Sequence, residues 1–280
     1  MLRTSASRVL DDSDREEALA ILDADPVANV FVASRVRSVG LHPARLGGQM
    51  WGFGPRGAMT ALCYAGANLV PVNAGPEAVH AFADRARRQG RRCSSIVGPA
   101  QAVIPMWELL EPHWGPARAV RWSQPVMAIS TPPRVPPDPA VRRVRPEEFD
   151  ILLPACVAMF TEEVGVSPDV GDGGALYRSR VAELIRIGRS YARIEGDTVV
   201  FKAEIGAVTP QACQIQGVWV HPDLRGRGYA VAGMAAVVEH ALACFAPLVT
   251  LYVNDFNLPA RAVYRKVGFE EVGTFTSVLF

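Results

Sequence analysis

The sequence predicts an α/β (α+β) protein made of two domains. Strand-like and helix-like segments alternate along the chain, and 280 residues are a comfortable length for two domains. Residues 130–139 contain five prolines in ten positions. Such a segment cannot donate ladder hydrogen bonds and favours extended polyproline geometry. We therefore divide the chain into a domain at residues 1–129, a linker at 130–139 and a domain at 140–280.

Composition excludes several classes of protein. The formal net charge is only +1 and 49% of the residues are hydrophobic, so we expect a globular chain that binds neither nucleic acid nor a membrane. The N-terminus turns acidic at Asp11 and Asp12, unlike a secretion signal, which predicts a cytoplasmic protein. Five scattered cysteines without metal-ligand spacing indicate buried free thiols and no metal site.

The first domain begins with helical patterns and continues with strands. Asp11, Asp12 or Ser13 can cap the first helix, and Asp25-Pro26 ends it and opens a second. The elements that follow are strands near residues 50–53, 59–64 and 69–72, a helix at 76–89, a strand at 95–97 and a helix at 100–110.

An arginine run ends the helix predicted at residues 76–89. It consists of Arg85, Arg87, Arg88, Arg91 and Arg92. A solvated helix end is the simplest interpretation, because cations suit a helix C-terminus. Anion binding is the alternative.

The second domain repeats a similar order of elements. After a strand near residues 141–144, a helix begins at Arg145 and runs through Phe160, and a loop at 161–174 rich in glycine follows. The further elements are a helix at 175–187, strands at 191–194, 199–208 and 213–220, a helix after Tyr229 and a strand at 248–253.

A strand changes into a helix through glycines at residues 215–235. The apolar strand stops at His221, and after Gly226 and Gly228 a helix of small residues begins. The first N–H groups of a helix lack intrahelical partners, and the helix dipole there favours negative charge. Since glycine has no Cβ, an anion can approach the backbone directly. This turn therefore predicts a phosphate-binding site.

Two motifs resemble those of one enzyme family. Arg225-x-x-Gly228-x-Ala230 resembles the coenzyme A pyrophosphate loop of the GNAT N-acetyltransferases, written Arg/Gln-x-x-Gly-x-Gly/Ala. Asn257-x-x-Ala260-x-x-x-Tyr264-x-x-x-Gly268-Phe269 resembles the family's second signature. The resemblance covers residues 140–280. A dinucleotide-binding oxidoreductase is the distant alternative, because its fingerprint places a third glycine where this chain has Val231.

The resemblance implies a fold, a cosubstrate and a reaction. The fold is two GNAT-like domains, each a mixed, mostly antiparallel central sheet flanked by helices. The reaction moves an acetyl group from acetyl-CoA to an amine, which is either a small molecule or the α-amine of a peptide or protein. No metal is expected. Direct attack in a ternary complex is expected. A non-catalytic acyl-CoA-binding regulatory module is the alternative; an oligomer is neither predicted nor excluded.

The first domain departs from the family at the decisive turn. Where the pyrophosphate loop belongs, the chain reads Asn73-Ala-Gly-Pro76. This turn is too short to surround two phosphates, and Pro76 removes an N–H donor. We interpret residues 1–129 as a degenerate GNAT-like repeat that does not bind coenzyme A. An unrelated α/β domain with the same order of elements is the alternative.

The resemblance implies coenzyme contacts before, within and after the phosphate turn. The residues concerned are Val218, Trp219 and Val220 on the strand, whose backbone pairs with the pantetheine arm, Arg225, Gly226, Arg227, Gly228, Tyr229, Ala230 and Val231 at the pyrophosphate, and Asn257 near the thiol.

The two proton transfers of the reaction need an acid and a base. Tyr264 occupies the family's general-acid position, and a phenol with an ordinary pKa of about 10 is protonated at neutral pH. An ordinary core tyrosine is the alternative. Glu204 and Gln216 lie on central strands, and Glu204 is the candidate base. An ion-paired Glu204, or deprotonation relayed by water, is equally compatible with the sequence.

Two acidic residues are candidates for contacts with the acceptor. In the family, the loop between the first two helices arches over the acceptor site, and Glu162 and Glu163 fall in the loop predicted here. They are candidate contacts for an amine substrate. Solvated acids at a helix end are the alternative.

Overall fold

The structure, a computed structural model, describes residues 7–168 and 174–280. Residues 169–173 of the predicted glycine-rich loop lie outside this part of the chain. The chain forms two compact units. The first comprises the described residues up to Met127 together with Tyr252–Asn257 and Glu271–Phe280, and the second comprises Ala128–Leu251, in its described part, and Leu258–Glu270.

The first unit contains most of the N-terminal elements and the C-terminal strand. Its strands are β1 (Arg8–Val9), β2 (Gly48–Phe53), β3 (Ala61–Gly66), β4 (Asn68–Val72), β5 (Ser95–Pro99), most of β6 (Ala119–Ile129) and most of β12 (Glu270–Leu279); its helices are α1 (Arg15–Asp23), α2 (Val30–Val39), α3 (Pro43–Leu46), α4 (Pro76–Gln89) and α5 (Ala100–Trp114).

The sheet of the first unit is mixed and mostly antiparallel. Its strand order is β1-β2-β3-β4-β5-β12-β6. Strand β5 runs parallel to β4 after the crossover through α4, and β12 pairs antiparallel with β5 from Phe275 opposite Pro99 to Leu279 opposite Ser95. The C-terminal strand is thus part of the first unit, whereas the sequence-based division groups it with residues 140–280.

The second unit contains the remaining elements. Its strands are β7 (Arg142–Arg143), β8 (Ser190–Glu195), β9 (Thr198–Val208), β10 (Cys213–Val220) and most of β11 (Val249–Tyr252); its helices are α6 (Phe149–Val164), α7 (Ala175–Arg186), α8 (Tyr229–Cys244) and α9 (Leu258–Val267).

The second sheet repeats the plan of the first. Strands β7 to β10 pair antiparallel in sequence order, and β11 is parallel to β10 after the crossover through α8. A mixed, mostly antiparallel sheet with flanking helices is therefore confirmed in each unit. Helix α8 approaches β9 closely because Gly233 has no side chain: a Cβ there would lie 2.8 Å from the Phe201 ring.

Helix α6 is longer than predicted. It continues to Val164 and ends at Gly165, which has a φ of 80°. Glu162 and Glu163 are good helix formers, and a glycine in the left-handed region is a common helix C-cap. The prediction of a loop from residue 161 is therefore wrong for residues 161–164. Glu162 and Glu163 lie on the last turn of the helix.

The proline-rich segment is extended and bound to the second unit. Arg134 N donates to Val267 O at 2.8 Å, and Asp138 N donates to Ala232 O at 3.0 Å. The Asp138 carboxylate, which is nearly buried, pairs with Arg193 at 2.9 Å. The segment predicted as a linker therefore has fixed contacts with the elements that follow it.

The cysteines only partly follow the prediction. All five are free; Cys63, Cys156 and Cys213 are buried, but Cys93 is half-buried and Cys244 is exposed. The expectation of buried thiols is therefore wrong for Cys244. No helix in the described part of the chain is long and apolar enough to cross a bilayer.

Candidate active site

The turn between β10 and α8 has the backbone of an anion site. Gly226 and Gly228 have φ values of 78° and 86°, the region that favours glycine. A Cβ at either position would meet no atom within 4 Å. Space above both glycines is therefore open to a ligand.

The amide groups at the start of α8 complete this turn. The first recorded bonds of the helix run from Val231 N and Ala232 N to Gly228 O, at 3.0 and 3.3 Å. The preceding amides, including those of Tyr229 and Ala230, are the ones that helix geometry leaves without partners. Arg227 is exposed between the two glycines. The turn thus combines backbone donors, a positive helix end and a cationic side chain.

Arg225 and Glu162 connect the turn to the end of α6. Their ion pair has an Nη2–Oε2 distance of 2.7 Å, and Trp219 Nε1 donates to Glu162 Oε1 at 3.2 Å. Arg225 Nε also donates to Val220 O at 3.1 Å. The structure therefore places Glu162, a predicted acceptor contact, against the predicted coenzyme contacts. Both ionic side chains are about half exposed, so the pair itself stabilises the fold little.

Strand β10 is distorted where the predicted pantetheine contacts lie. Its pairing with β9 shifts register between Gln216 and Trp219, and Gly217 has a φ of 61°. Its parallel register with β11 consists of Cys213 opposite Val249 and Gln214 opposite Thr250. Val218, Trp219 and Val220 lie beyond this register, on the part of β10 that leads to the phosphate turn.

Tyr264 lies on α9 and is buried, with 7% of its surface exposed. Its ring packs against Phe269 with 5.9 Å between centroids. Burial, with a smaller effect of the Glu163 charge, raises the pKa of Tyr264 well above its ordinary value. The phenol is therefore protonated at neutral pH, and Glu163 lies close enough to influence it.

Glu204 is part of a buried cluster with Lys202 and Cys156. The Lys202 Nζ–Glu204 Oε1 distance is 2.7 Å, and Cys156 Sγ lies 3.8 Å from the same oxygen. Gln216 Nε2 donates to Glu204 Oε2 at 3.4 Å. Burial alone would lower the pKa of Lys202, but the charges of Glu204 and Cys156 and the hydrogen bonds to both together outweigh it, so the pKa of Lys202 is raised. Of the alternatives for Glu204, the structure contains the ion pair.

Lys202 and Cys156 were not predicted as members of this cluster. Burial raises the pKa of the Cys156 thiol to about 11, so it is protonated and unsuited to nucleophilic attack at neutral pH. A signal for Lys202 was present in the sequence. Lys202 and Glu204 are two residues apart on an apolar strand, which places both side chains on one face.

Asn257 is the last residue of the segment Tyr252–Asn257, which is grouped with the first unit. Its N–H donates to Asn254 O at 3.0 Å, and α9 begins at the next residue. Within the described residues, no group of three or more His, Cys, Asp or Glu side chains is arranged to hold a metal ion.

The corresponding turn of the first unit is built differently. Asn73 has a φ of 47°, and its side-chain amide donates to Thr60 O at 2.9 Å. Gly75 caps α4 with an ordinary φ of −73°, and Pro76 is the first helical residue. This turn therefore presents one N–H fewer at the helix start than the turn at Gly228 does.

Comparison with known proteins identifies the family. Residues 181–269, which include the phosphate turn and Tyr264, match the acetyltransferase (GNAT) family. The chain is 30% identical over 134 residues to the peptidyl-lysine N-acetyltransferase YjaB of Escherichia coli strain K12, covering 48% of this chain and 84% of that protein. The chain belongs to the GNAT acetyltransferase family. It is therefore an acyl-transferring enzyme.

Solved structures extend the GNAT likeness to both units. A GNAT acetyltransferase from Colwellia psychrerythraea is 12% identical, with 98% of this chain and 99% of that one covered and a TM-score of 0.58. A tandem GNAT protein from the clavulanic acid biosynthesis pathway is 16% identical over 98% of each chain, with a TM-score of 0.52. These likenesses show the fold. Residues 48–152 match a domain of unknown function (DUF4081).

Proposed function

We propose that this enzyme transfers the acetyl group of acetyl-CoA to an amine by direct attack in a ternary complex. The observation that carries the proposal is the turn at Gly226 and Gly228, where two glycines in the left-handed region leave open space at a helix N-terminus. A pyrophosphate fits such a turn, because backbone N–H groups and the helix dipole both favour it.

The remaining coenzyme contacts follow from the same placement. The amides of Gly226 to Val231 bind the pyrophosphate, with Arg225 and Arg227 adding positive charge. The free backbone groups of Val218 to Val220 pair with the pantetheine arm as a neighbouring strand would. Asn257 binds the coenzyme near its thiol, a role that rests on the family motif.

Acyl transfer then proceeds in one displacement. The neutral amine nitrogen attacks the thioester carbonyl carbon, the carbon–sulfur bond breaks, and the thiolate leaves. Glu204 receives one proton of the incoming ammonium, directly or through water, before the attack. Tyr264 gives its proton to the leaving thiolate, and the second proton of the attacking nitrogen, released as the amide forms, returns to Tyr264 directly or through water.

The acceptor is a cationic amine before it reacts. Glu163 is exposed and close enough to Tyr264 to act on its titration, so its charge attracts an ammonium group to the region of the candidate acid. Glu162 is paired with Arg225. We assign it two roles: it positions the phosphate turn through Arg225, and it contacts the acceptor. Since YjaB is named as a peptidyl-lysine N-acetyltransferase, a lysine side chain joins the small-molecule amine and the α-amine as candidate acceptors.

The first unit has a different role in this proposal. We interpret residues 1–129 as a degenerate GNAT-like repeat and residues 140–280 as the segment that carries catalysis. The proline at the start of α4 and the short turn at Asn73 support this, because both reduce the number of amides available to a pyrophosphate.

Replacing Gly228 with leucine tests the cosubstrate. A side chain there fills the open space and strains a φ of 86°, so we expect coenzyme A affinity to fall by more than about tenfold, as for the loss of charge-assisted hydrogen bonds. Titration calorimetry with coenzyme A measures the change. Gly75→Leu is the matched control: it also begins a helix beside open space, but with an ordinary φ.

Thermal unfolding of both variants checks whether the fold is retained. Equal affinity of the wild type and the Gly228 variant for coenzyme A, in a folded protein, would reject the assignment of this turn. A loss of affinity in the Gly75 variant as well would mean that the first unit also binds coenzyme A.

A further inference from the structure

A cavity of about 370 Å³ lies in the first unit. Its lining comes from the start of β2, the turn between β3 and β4, and the C-terminal ends of α4 and α5. Helix α4 has 14 residues and is therefore about 21 Å long. The cavity lies at the other end of this helix from the turn at Asn73. It is thus separate from the position where a GNAT unit would bind a pyrophosphate, and its volume is typical of small-molecule sites.

The walls of the cavity are flat and apolar. They include the indoles of Trp51, which is 1% exposed, and of Trp114, with Leu69 and small residues between them. Phe280 packs edge-on against Trp114, with 5.8 Å between ring centroids, and fixes the position of that indole. Such walls favour an aromatic or similarly planar group, because aromatic contacts stabilise beyond area burial.

The polar groups of the lining are mainly donors. Trp51 Nε1 and Gln89 Nε2 both donate to Gln49 Oε1, at 2.9 and 3.2 Å. Because an indole N–H can only donate, the Gln49 atom it faces is the oxygen, and the Gln49 NH₂ group is left to donate. The lining thus offers amide N–H groups and the Arg92 guanidinium to an acceptor on a ligand.

The arginine run at the end of α4 makes this site cationic. Arg85, Arg87 and Arg91 are used within the unit, by stacking on Trp51, by pairing with Asp84 and by stacking on Phe280. Arg92 lines the cavity, and within the described residues no ion pair of Arg92 is recorded. The C-termini of α4 and α5 oppose an anion with about half a negative charge each, which five arginines in eight positions outweigh.

We propose that this cavity binds a small carboxylic acid with a flat apolar body, on the scale of an indole or phenyl acid. The ring lies against the Trp114 indole, and the carboxylate accepts from Arg92 and the Gln49 amide. A carboxylate matches this set because it only accepts and offers about four lone-pair sites. The arginine run then has a binding role, and the first unit is a ligand-binding unit without a phosphate turn.

Titration calorimetry of the full chain with matched probes tests the charge of the ligand. Indole-3-acetate and phenylacetate are compared with the corresponding neutral amides. We expect each acid that binds to do so at least about tenfold more tightly than its amide, as for a charge-assisted hydrogen bond. Equal affinities of acid and amide, or no binding of either acid at millimolar concentration, would overturn the proposal.

Two variants locate the binding. Arg92→Gln should weaken binding of the acid about tenfold, whereas Arg88→Gln removes the same charge from the same run, at an exposed residue outside the cavity lining, and should have little effect. Ala67→Trp places a large ring at the cavity mouth from an exposed lining residue and should abolish binding. Equal effects of the two arginine variants would indicate general attraction to the arginine run, and binding that survives at Ala67→Trp would place the acid elsewhere; either result rejects the site.

Discussion

At the scale of single residues, the buried pair of Lys202 and Glu204 determines how the candidate base can be tested. Lys202 is 0% exposed and its ammonium lies 2.7 Å from the Glu204 carboxylate. Removing one partner of a buried pair leaves an uncompensated charge and costs about 3–5 kcal/mol, whereas replacing both partners is often neutral. A test of Glu204 as the base must therefore separate lost chemistry from lost stability.

The double variant Lys202→Met, Glu204→Gln makes that separation. If Glu204 accepts the proton of the amine, we expect the transfer rate to fall about 10²-fold or more. Stability should change little, because both charges leave together. The rate of transfer with acetyl-CoA and an amine acceptor is the measurement. A double variant with the wild-type rate would assign deprotonation to water.

Tyr264→Phe tests the candidate acid. The substitution keeps the ring that packs on Phe269 and removes only the hydroxyl, so we expect unchanged acetyl-CoA affinity and a rate that falls about 10²-fold, the low end for general acid catalysis. Because the pKa of Tyr264 is raised, its proton is present at neutral pH and is lost only above the ordinary phenol value. The wild-type rate should therefore not decline from tyrosine ionisation below about pH 10. A Phe variant with full activity, measured where chemistry limits the rate, would make Tyr264 an ordinary core residue.

Sequence reasoning succeeds for residues whose role is local. The conformation of Gly226 and Gly228 is predictable from the local sequence, because a strand followed by glycines and a helix needs left-handed backbone at that point. Glu162 illustrates the opposite case. Its partner Arg225 is 63 positions away along the chain, and no local pattern indicates which of two neighbouring glutamates makes that contact.

At the scale of elements, sequence reasoning is wrong about where a helix ends, and it gives no pairing for a strand whose partner is distant. The helical pattern of α6 fades after Phe160, but the helix continues for one more turn until Gly165 ends it. Strand β12 illustrates the second case. Its partner β5 lies more than 170 positions earlier, and pairing between such distant strands is set by the folded core rather than by local sequence.

At the scale of the whole molecule, the order of elements is what sequence predicts well. In each unit an antiparallel run of strands leads through a crossover helix to a parallel strand, β2–β4, α4 and β5 in one and β8–β10, α8 and β11 in the other. Short connections and hydrophobic period determine that order. The division between units does not follow from it, because the proline-rich segment marks a break in the chain and carries no information on where the C-terminal strand pairs.

Val278→Ala tests which unit the C-terminal strand stabilises. Val278 is 0% exposed and belongs to the apolar core of the first unit, with Trp51, Phe82 and Ile96. Losing two buried methyl groups should lower the free energy of unfolding of that unit by about 2–3 kcal/mol. Val272→Ala on the same strand is the control, since Val272 is 55% exposed and its truncation should cost less than about 0.5 kcal/mol.

Hydrogen exchange resolved by segment reports the result of that substitution. Amides of β2 to β5 should exchange faster in the Val278 variant, while those of β8 and β9 keep their protection, because local opening follows the stability of each cooperative unit. If residues 140–280 folded as one domain that included the C-terminal strand, β8 and β9 would lose protection and β2 to β4 would not. Loss of protection in β8 and β9 would support a division at the proline-rich segment. Loss of protection in β2 to β5, which we expect, would show that the C-terminal strand stabilises the first unit.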